Sequence, residues 1–143
     1  MRTILTLLAA IALTGTPAFA QKTNADAEMM RALGAKGLEG RKLAVAIEKA
    51  KAFPLGSDEN PVRADGPEGQ RAYLERLRCD EGVKPTYYRA GNIGTGVYGY
   101  IVDDYRVKCP GKAEVVVIMD MYHINVEAAA VPGFTIVVSP DVT

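Results

Sequence analysis

Apolar residues recur with two different spacings along this chain, and the change of spacing divides it into a helical and a sheet-forming part. Over 40–53, "GRKLAVAIEKAKAF", Leu43, Ala46, Ile47 and Ala50 return every three or four residues while Lys42, Glu48, Lys49 and Lys51 take the other faces. That pattern predicts an amphipathic helix, ended by Pro54. From residue 98 the period is two. "YGYIVDDYRVKC" (98–109) sets Ile101, Asp103, Tyr105, Val107 and Cys109 against Tyr100, Val102, Asp104, Arg106 and Lys108, which predicts a strand. "PGKA" (110–113) turns the chain back into a second strand, "EVVVIMDMYH" (114–123). Strand geometry puts Val116, Ile118, Asp120 and Tyr122 on one of its faces and Val115, Val117, Met119, Met121 and His123 on the other. Both faces are apolar through Met119, so this strand is expected to be central and covered on both sides. A last strand, "FTIVVS" (134–139), follows "VPG".

The intervening stretches are less regular. "PLGSDENPVRADGPEGQ" (54–70) holds three prolines and three glycines, the composition of a surface connection, with Arg63 as its most notable side chain. "RAYLERLRCDEG" (71–82) fits two periods: Leu74 and Leu77 suit a helix, whereas the alternation through Cys79 suits a strand. We read a strand over 73–79 and a turn after it. Residues 21–39, Ala-rich and interrupted by Gly34 and Gly37, predict a mobile tail or one short helix near 25–33. The sum is one α+β domain over 40–143, a small antiparallel sheet of about four strands with one or two N-terminal helices.

The first twenty residues change the picture from an internal to an exported protein. Arg2, the apolar run "ILTLLAAIAL" and the ending Ala18-Phe19-Ala20 form the pattern of a signal peptide cleaved after Ala20. The run is too short for a membrane span, which needs about 20 residues. No integral membrane segment is expected after cleavage, and the protein is placed in the periplasm or outside the cell. In that oxidising setting Cys79 and Cys109, the two cysteines of the chain, are expected to pair. A bridge closing a loop of that length stabilises by about 3.5 kcal/mol in the chain-entropy model. A reactive thiol or metal pair lacks C-x-x-C spacing, and one histidine leaves a zinc site short of ligands.

Charge removes further classes. Lys and Arg number 17 and Asp and Glu 17, so loss of Arg2 leaves a single excess negative charge. Such a chain has no electrostatic footprint for nucleic acid or for anionic membranes. "GNIGTGVYG" (91–99) spells G-x-G-x-x-G, but an alternating strand follows it where a dinucleotide site needs a helix. It is read as a flexible loop, and no cofactor and no metal are expected.

Candidate chemistry centres on Asp120 and His123. A carboxylate orienting a histidine is the core of general acid–base catalysis. Three residues apart on a strand, however, the two fall on opposite faces, about 10 Å apart along the chain. Ser57 and Ser139 lack a nucleophile's setting; metal-assisted hydrolysis would use His123 with Asp103, Asp104 or Asp120, and a two-carboxylate glycosidase would draw on Asp103, Asp104, Asp120 or Glu127. Buried in a central strand, Asp120 is expected to be a structural anchor for an arginine (Arg63, Arg71, Arg76, Arg78, Arg89 or Arg106) or for loop N–H groups. A different surface suggests itself upstream. Tyr87, Tyr88, Tyr98, Tyr100 and Tyr105 are interleaved with Gly, Thr and Asn, a composition of contact surfaces, although tyrosine also favours strands. Tyr87, Tyr88, Tyr98 and Tyr100, in a loop from about 84 to 99, are the expected binding residues.

The segments "PLGSDENPVR", "YLERLRC", "DDYRVKC" and "MDMYH" followed by "PGF" together resemble a family of small exported bacterial proteins of unassigned function, over about residues 53–136. The resemblance implies bacterial export and carries no substrate, cofactor or catalytic residue. The expected function is that of an exported, non-enzymatic binding or interaction module for a protein or small-molecule ligand. The alternative is a small hydrolase using His123 with an aspartate.

Overall fold

The computed structural model describes residues 29, 30, 32, 33, 36–125 and 127–138. The expected signal sequence, the first part of the Ala-rich tail and Ser139 lie outside the described residues. Helix α1, Gly40–Ala50, forms where the three-and-four spacing predicts it, with Ala50 buried and Leu43, Ala46 and Ile47 half-buried.

Residues 54–70 are more than a connection. Turns through Ser57 and Asn60 lead into strand β1, Val62–Arg63, and then into helix α2, Gly66–Arg76. Pro67 sits in the first turn of α2, where a backbone N–H has no intrahelical acceptor and its absence costs nothing. The strand expected over 73–79 is therefore helix as far as Arg76, and only Leu77–Arg78, strand β2, is extended. The physical reason is a helical stripe, since Gln70, Tyr73, Leu74 and Leu77 recur at three- and four-residue spacing and all are buried. A glutamine in that stripe disguised it. Its Oε1 accepts from the Tyr105 hydroxyl at 3.1 Å inside the core.

A turn of 3-10 helix, Asp80–Gly82, leads to β3, Thr86–Thr95, then β4, Ile101–Lys108, and β5, Glu114–Asp120. The sheet order is β1-β5-β4-β3; β5 is antiparallel to β4 and parallel to β1, so the sheet is mixed. β5 is an inner strand, as expected, but Val115 and Val116 are exposed and cover on both faces begins at Val117. The stretch read as a flexible glycine loop is strand through Thr95, and only Gly96–Gly99 turns. β3 is an edge strand whose pairing shifts register between Arg89 and Gly91 and again between Asn92 and Thr95, irregularities that an edge tolerates.

The core lies between α2 and one face of the sheet, where Tyr73, Leu74 and Leu77 meet Val62, Tyr105, Val107, Val117 and Met119. The Tyr73 hydroxyl donates to the Ala129 carbonyl at 3.0 Å and accepts from the Val131 amide at 3.1 Å. Arg76 donates to the Glu127 carbonyl at 2.6 Å, so α2 also holds the returning segment. That segment ends in β6, Thr135–Ile136, which pairs antiparallel with β2 in a second small sheet. The strand expected over 134–139 is thus confined to two described residues, away from the main sheet. The disulfide Cys79–Cys109, with a Cα separation of 5.8 Å, joins the end of β2 to the end of β4 and ties the two sheets together. Among the described residues no helix is long and apolar enough to cross a membrane.

Candidate functional site

The strand that carries Asp120 stops at Asp120, and the aspartate itself ends it. Its Oδ1 accepts from the backbone N–H groups of Tyr122 at 3.1 Å and His123 at 3.2 Å, a local side-chain turn that bends the chain off the sheet. The bend swings the His123 ring back over the same oxygen, with Nδ1 2.8 Å from Oδ1. The expected separation onto opposite faces is therefore wrong for this pair, because strand geometry does not extend to His123. Asp120 is fully buried, and among the described residues its Oδ2 has no hydrogen-bond partner.

On its other side His123 meets the segment before α1. Nε2 lies 3.0 Å from the Leu38 carbonyl oxygen, and the Leu38 amide donates to the Tyr98 carbonyl at 2.8 Å. Residues 36–39, expected to belong to the tail, thus form a strap against the 96–100 turn. The strap lies so close that only glycine fits at two crossing points. A Cβ on Gly37 would stand 1.9 Å from the Tyr100 ring, and one on Gly99, whose φ is +85°, would stand 2.7 Å from the Lys36 carbonyl oxygen. The His123 ring completes the packing between Tyr98, at a centroid distance of 5.9 Å, and Tyr100, at 4.9 Å.

An open cleft of about 320 Å³ runs beside this cluster, with Leu38, Leu43, Tyr100, Tyr122 and His123 in its wall. Burial pushes the Tyr98 hydroxyl up from its ordinary range; the Arg63 charge opposes that shift and the Asp120 charge adds to it. Arg63 is half-buried on β1, opposite Asp120 in the parallel register, and no hydrogen bond joins their side chains. Of the two kinds of partner expected for Asp120, loop N–H groups are present, and the place considered for an arginine is taken by His123.

The other carboxylates are engaged elsewhere. Asp103 is fully buried and takes a two-pronged contact from Arg89, Nε to Oδ2 at 2.8 Å and Nη2 to Oδ1 at 2.6 Å. Asp104, on the opposite face of β4, accepts from Arg106 at 2.6 Å. Glu127 accepts from the Ala129 amide at 3.2 Å, and Ser57 from the Asn60 amide at 3.2 Å. Among the described residues no group of three or more His, Cys, Asp or Glu side chains could hold a metal ion.

The expected contact tyrosines separate into two environments. Tyr98 and Tyr100, 1% and 2% exposed, are core residues around His123, which corrects their placement on a contact loop. Tyr87 is half-buried on β3 and donates to Glu75 Oε1 at 2.8 Å. Burial, with that hydrogen bond and the Glu75 charge adding to it, pushes its hydroxyl up to about 12. Tyr88, on the opposite face, is 57% exposed. The pairing registers align it with Arg106 and then with Val116, itself 44% exposed, in one row across three strands. Sequence reasoning passed over the Leu38 carbonyl and the two crossing glycines, whose only signal was glycine in an otherwise ordinary stretch.

Neither a protein-family model, nor a curated protein, nor a solved structure matches this chain.

Proposed function

We propose that this protein is an exported, non-enzymatic binding module whose contact surface is the outer row Tyr88, Arg106 and Val116, beside the β3 edge. The observation that carries the reading is the exposure of Tyr88 and Val116 in one row, in a sheet whose opposite face is packed against α2. Exposed apolar side chains grouped on a rigid sheet serve recognition better than they serve stability. Export is supported by the N-terminal pattern and is consistent with the disulfide. The same proteins should be captured from periplasmic extract or culture medium by wild type, and at least about tenfold less by Tyr88→Ala, the size of effect a central aromatic anchor has. Equal capture by a folded Tyr88→Ala variant refutes the surface.

The alternative, a small hydrolase using His123 with Asp120, is favoured by the 2.8 Å contact that pairs them. It requires Nε2, which faces the Leu38 carbonyl, to turn to a substrate instead. Hydrolysis of simple esters by wild type and not by His123→Ala would carry that reading, whereas equal background rates would end it.

A further inference from the structure

His123 presents a mismatch between ring and surroundings that only its proton count resolves. With Asp120 ionised, both ring nitrogens face oxygens that can only accept: Asp120 Oδ1 at 2.8 Å from Nδ1 and the Leu38 carbonyl at 3.0 Å from Nε2. A neutral imidazole has one N–H and can serve one of them; the doubly protonated ring has two and serves both. Among the described residues Oδ2 of the fully buried Asp120 has no hydrogen-bond partner, and a positive ring gives the carboxylate a counter-charge in direct contact. Tyr98 and Tyr100 pack their rings on the imidazole from the 96–100 turn.

We propose that His123 is a proton-operated latch. With two ring protons it fastens the 36–39 strap to the end of β5, and with one it keeps Asp120 and releases Leu38. Asp120 is retained because a hydrogen bond to a carboxylate outweighs one to a neutral carbonyl. The Nε2 lone pair then faces the Leu38 oxygen, while the Leu38 amide keeps its bond to the Tyr98 carbonyl. The charged and titratable groups around the latch are Asp120 at the end of β5, Glu39 in the cleft wall and Asp65, which bridges to Tyr122. Tyr98, Tyr100 and Tyr122 supply the neighbouring hydroxyls, and Arg63 on β1, whose charge reaches the Tyr98 hydroxyl, is the cation on that side. Acid therefore closes the strap and alkali loosens it, at the edge of a cleft that Leu38 and His123 both line. The latch does not depend on Tyr88 being a contact residue.

The test is amide hydrogen exchange on the full chain between about pH 5 and about pH 8, the range in which histidine changes charge, with the ring nitrogens followed by NMR in the same samples. Because this is the only histidine, its ring signals are unambiguous. After correction for intrinsic exchange, the amides of residues 36–40 are expected to lose about tenfold in protection as the ring loses one proton, while Val107 and Val117 keep theirs. Nδ1 should retain its proton and Nε2 should lose it. In His123→Gln the pH dependence at 36–40 should vanish. The latch is overturned by strap protection that stays constant while the ring titrates, by a ring whose proton count does not change in this range, or by loss of the Nδ1 proton first. The same pH dependence in His123→Gln also overturns it; if that variant does not fold, the wild-type ring and amide data decide alone.

Discussion

At the scale of single residues, Asp120 does three jobs with one oxygen: it ends β5, turns the chain and holds the histidine. Asp120→Asn keeps an acceptor for the two backbone N–H groups. It removes the counter-charge for the ring and places an amide where Oδ2 has no partner among the described residues. Losing a buried charge-assisted contact and burying an unsatisfied donor together should cost about 3 kcal/mol, read as a lower urea midpoint at neutral pH. A loss under about 0.5 kcal/mol would mean that Asp120 is not the hub of this corner. The sequence showed that this carboxylate would be desolvated and need partners, because apolar neighbours on both faces require it. It could not show which partners, because a period-two argument assumes that the strand continues, and the residue that stops the strand is the aspartate.

At the scale of elements, regular amphipathic patterns were legible and composite ones were not. Helix α1, strand β4 and the turn at Pro110 and Gly111 follow directly from spacing and turn chemistry. Helix α2 was hidden by Gln70 on its buried stripe and by proline and glycine at its start, which read as loop until a helix N-terminus is seen to need them. Strand β1 was hidden because two residues directly after Pro61 carry no period at all. The strap over 36–39 belongs to the same class: its hold comes from a backbone carbonyl and two glycine crossings that no side-chain pattern displays. Gly99→Ala is the sharpest probe of it. The substitution puts a methyl 2.7 Å from the Lys36 carbonyl oxygen at a φ of +85°, so strain and collision act together. The expected cost is about 2 kcal/mol, with faster proteolysis concentrated at residues 36–40; unchanged stability would mean that the strap yields freely.

At the scale of the whole molecule, two sheets share one small core, and what joins them decides how cooperatively the chain unfolds. The second sheet consists of two residues from β2 and two from β6, too little to stand alone. Its attachments are α2 running into β2, the Tyr73 and Arg76 contacts to the returning segment, and the Cys79–Cys109 bridge. The bridge differs from the others because it acts mainly on the unfolded chain. It closes a loop across a sequence separation of 30 that contains all of β3 and β4, so it restricts the part of the chain whose pairing builds the main sheet. Replacing both cysteines with alanine should lower stability by about 3.5 kcal/mol, a large share of the 5–15 kcal/mol typical of single domains. The two cysteines are buried near the junction, so their replacement also tests whether that junction packs without the bond. If the loss is chiefly entropic, the double variant keeps the native circular dichroism spectrum and one sharp urea transition at a lower midpoint. If the bridge is instead the main link between the sheets, the transition should broaden or split, with amides near β2 and β6 exchanging before those of β4 and β5. Three attachments besides the bond remain in place, so we expect the single transition.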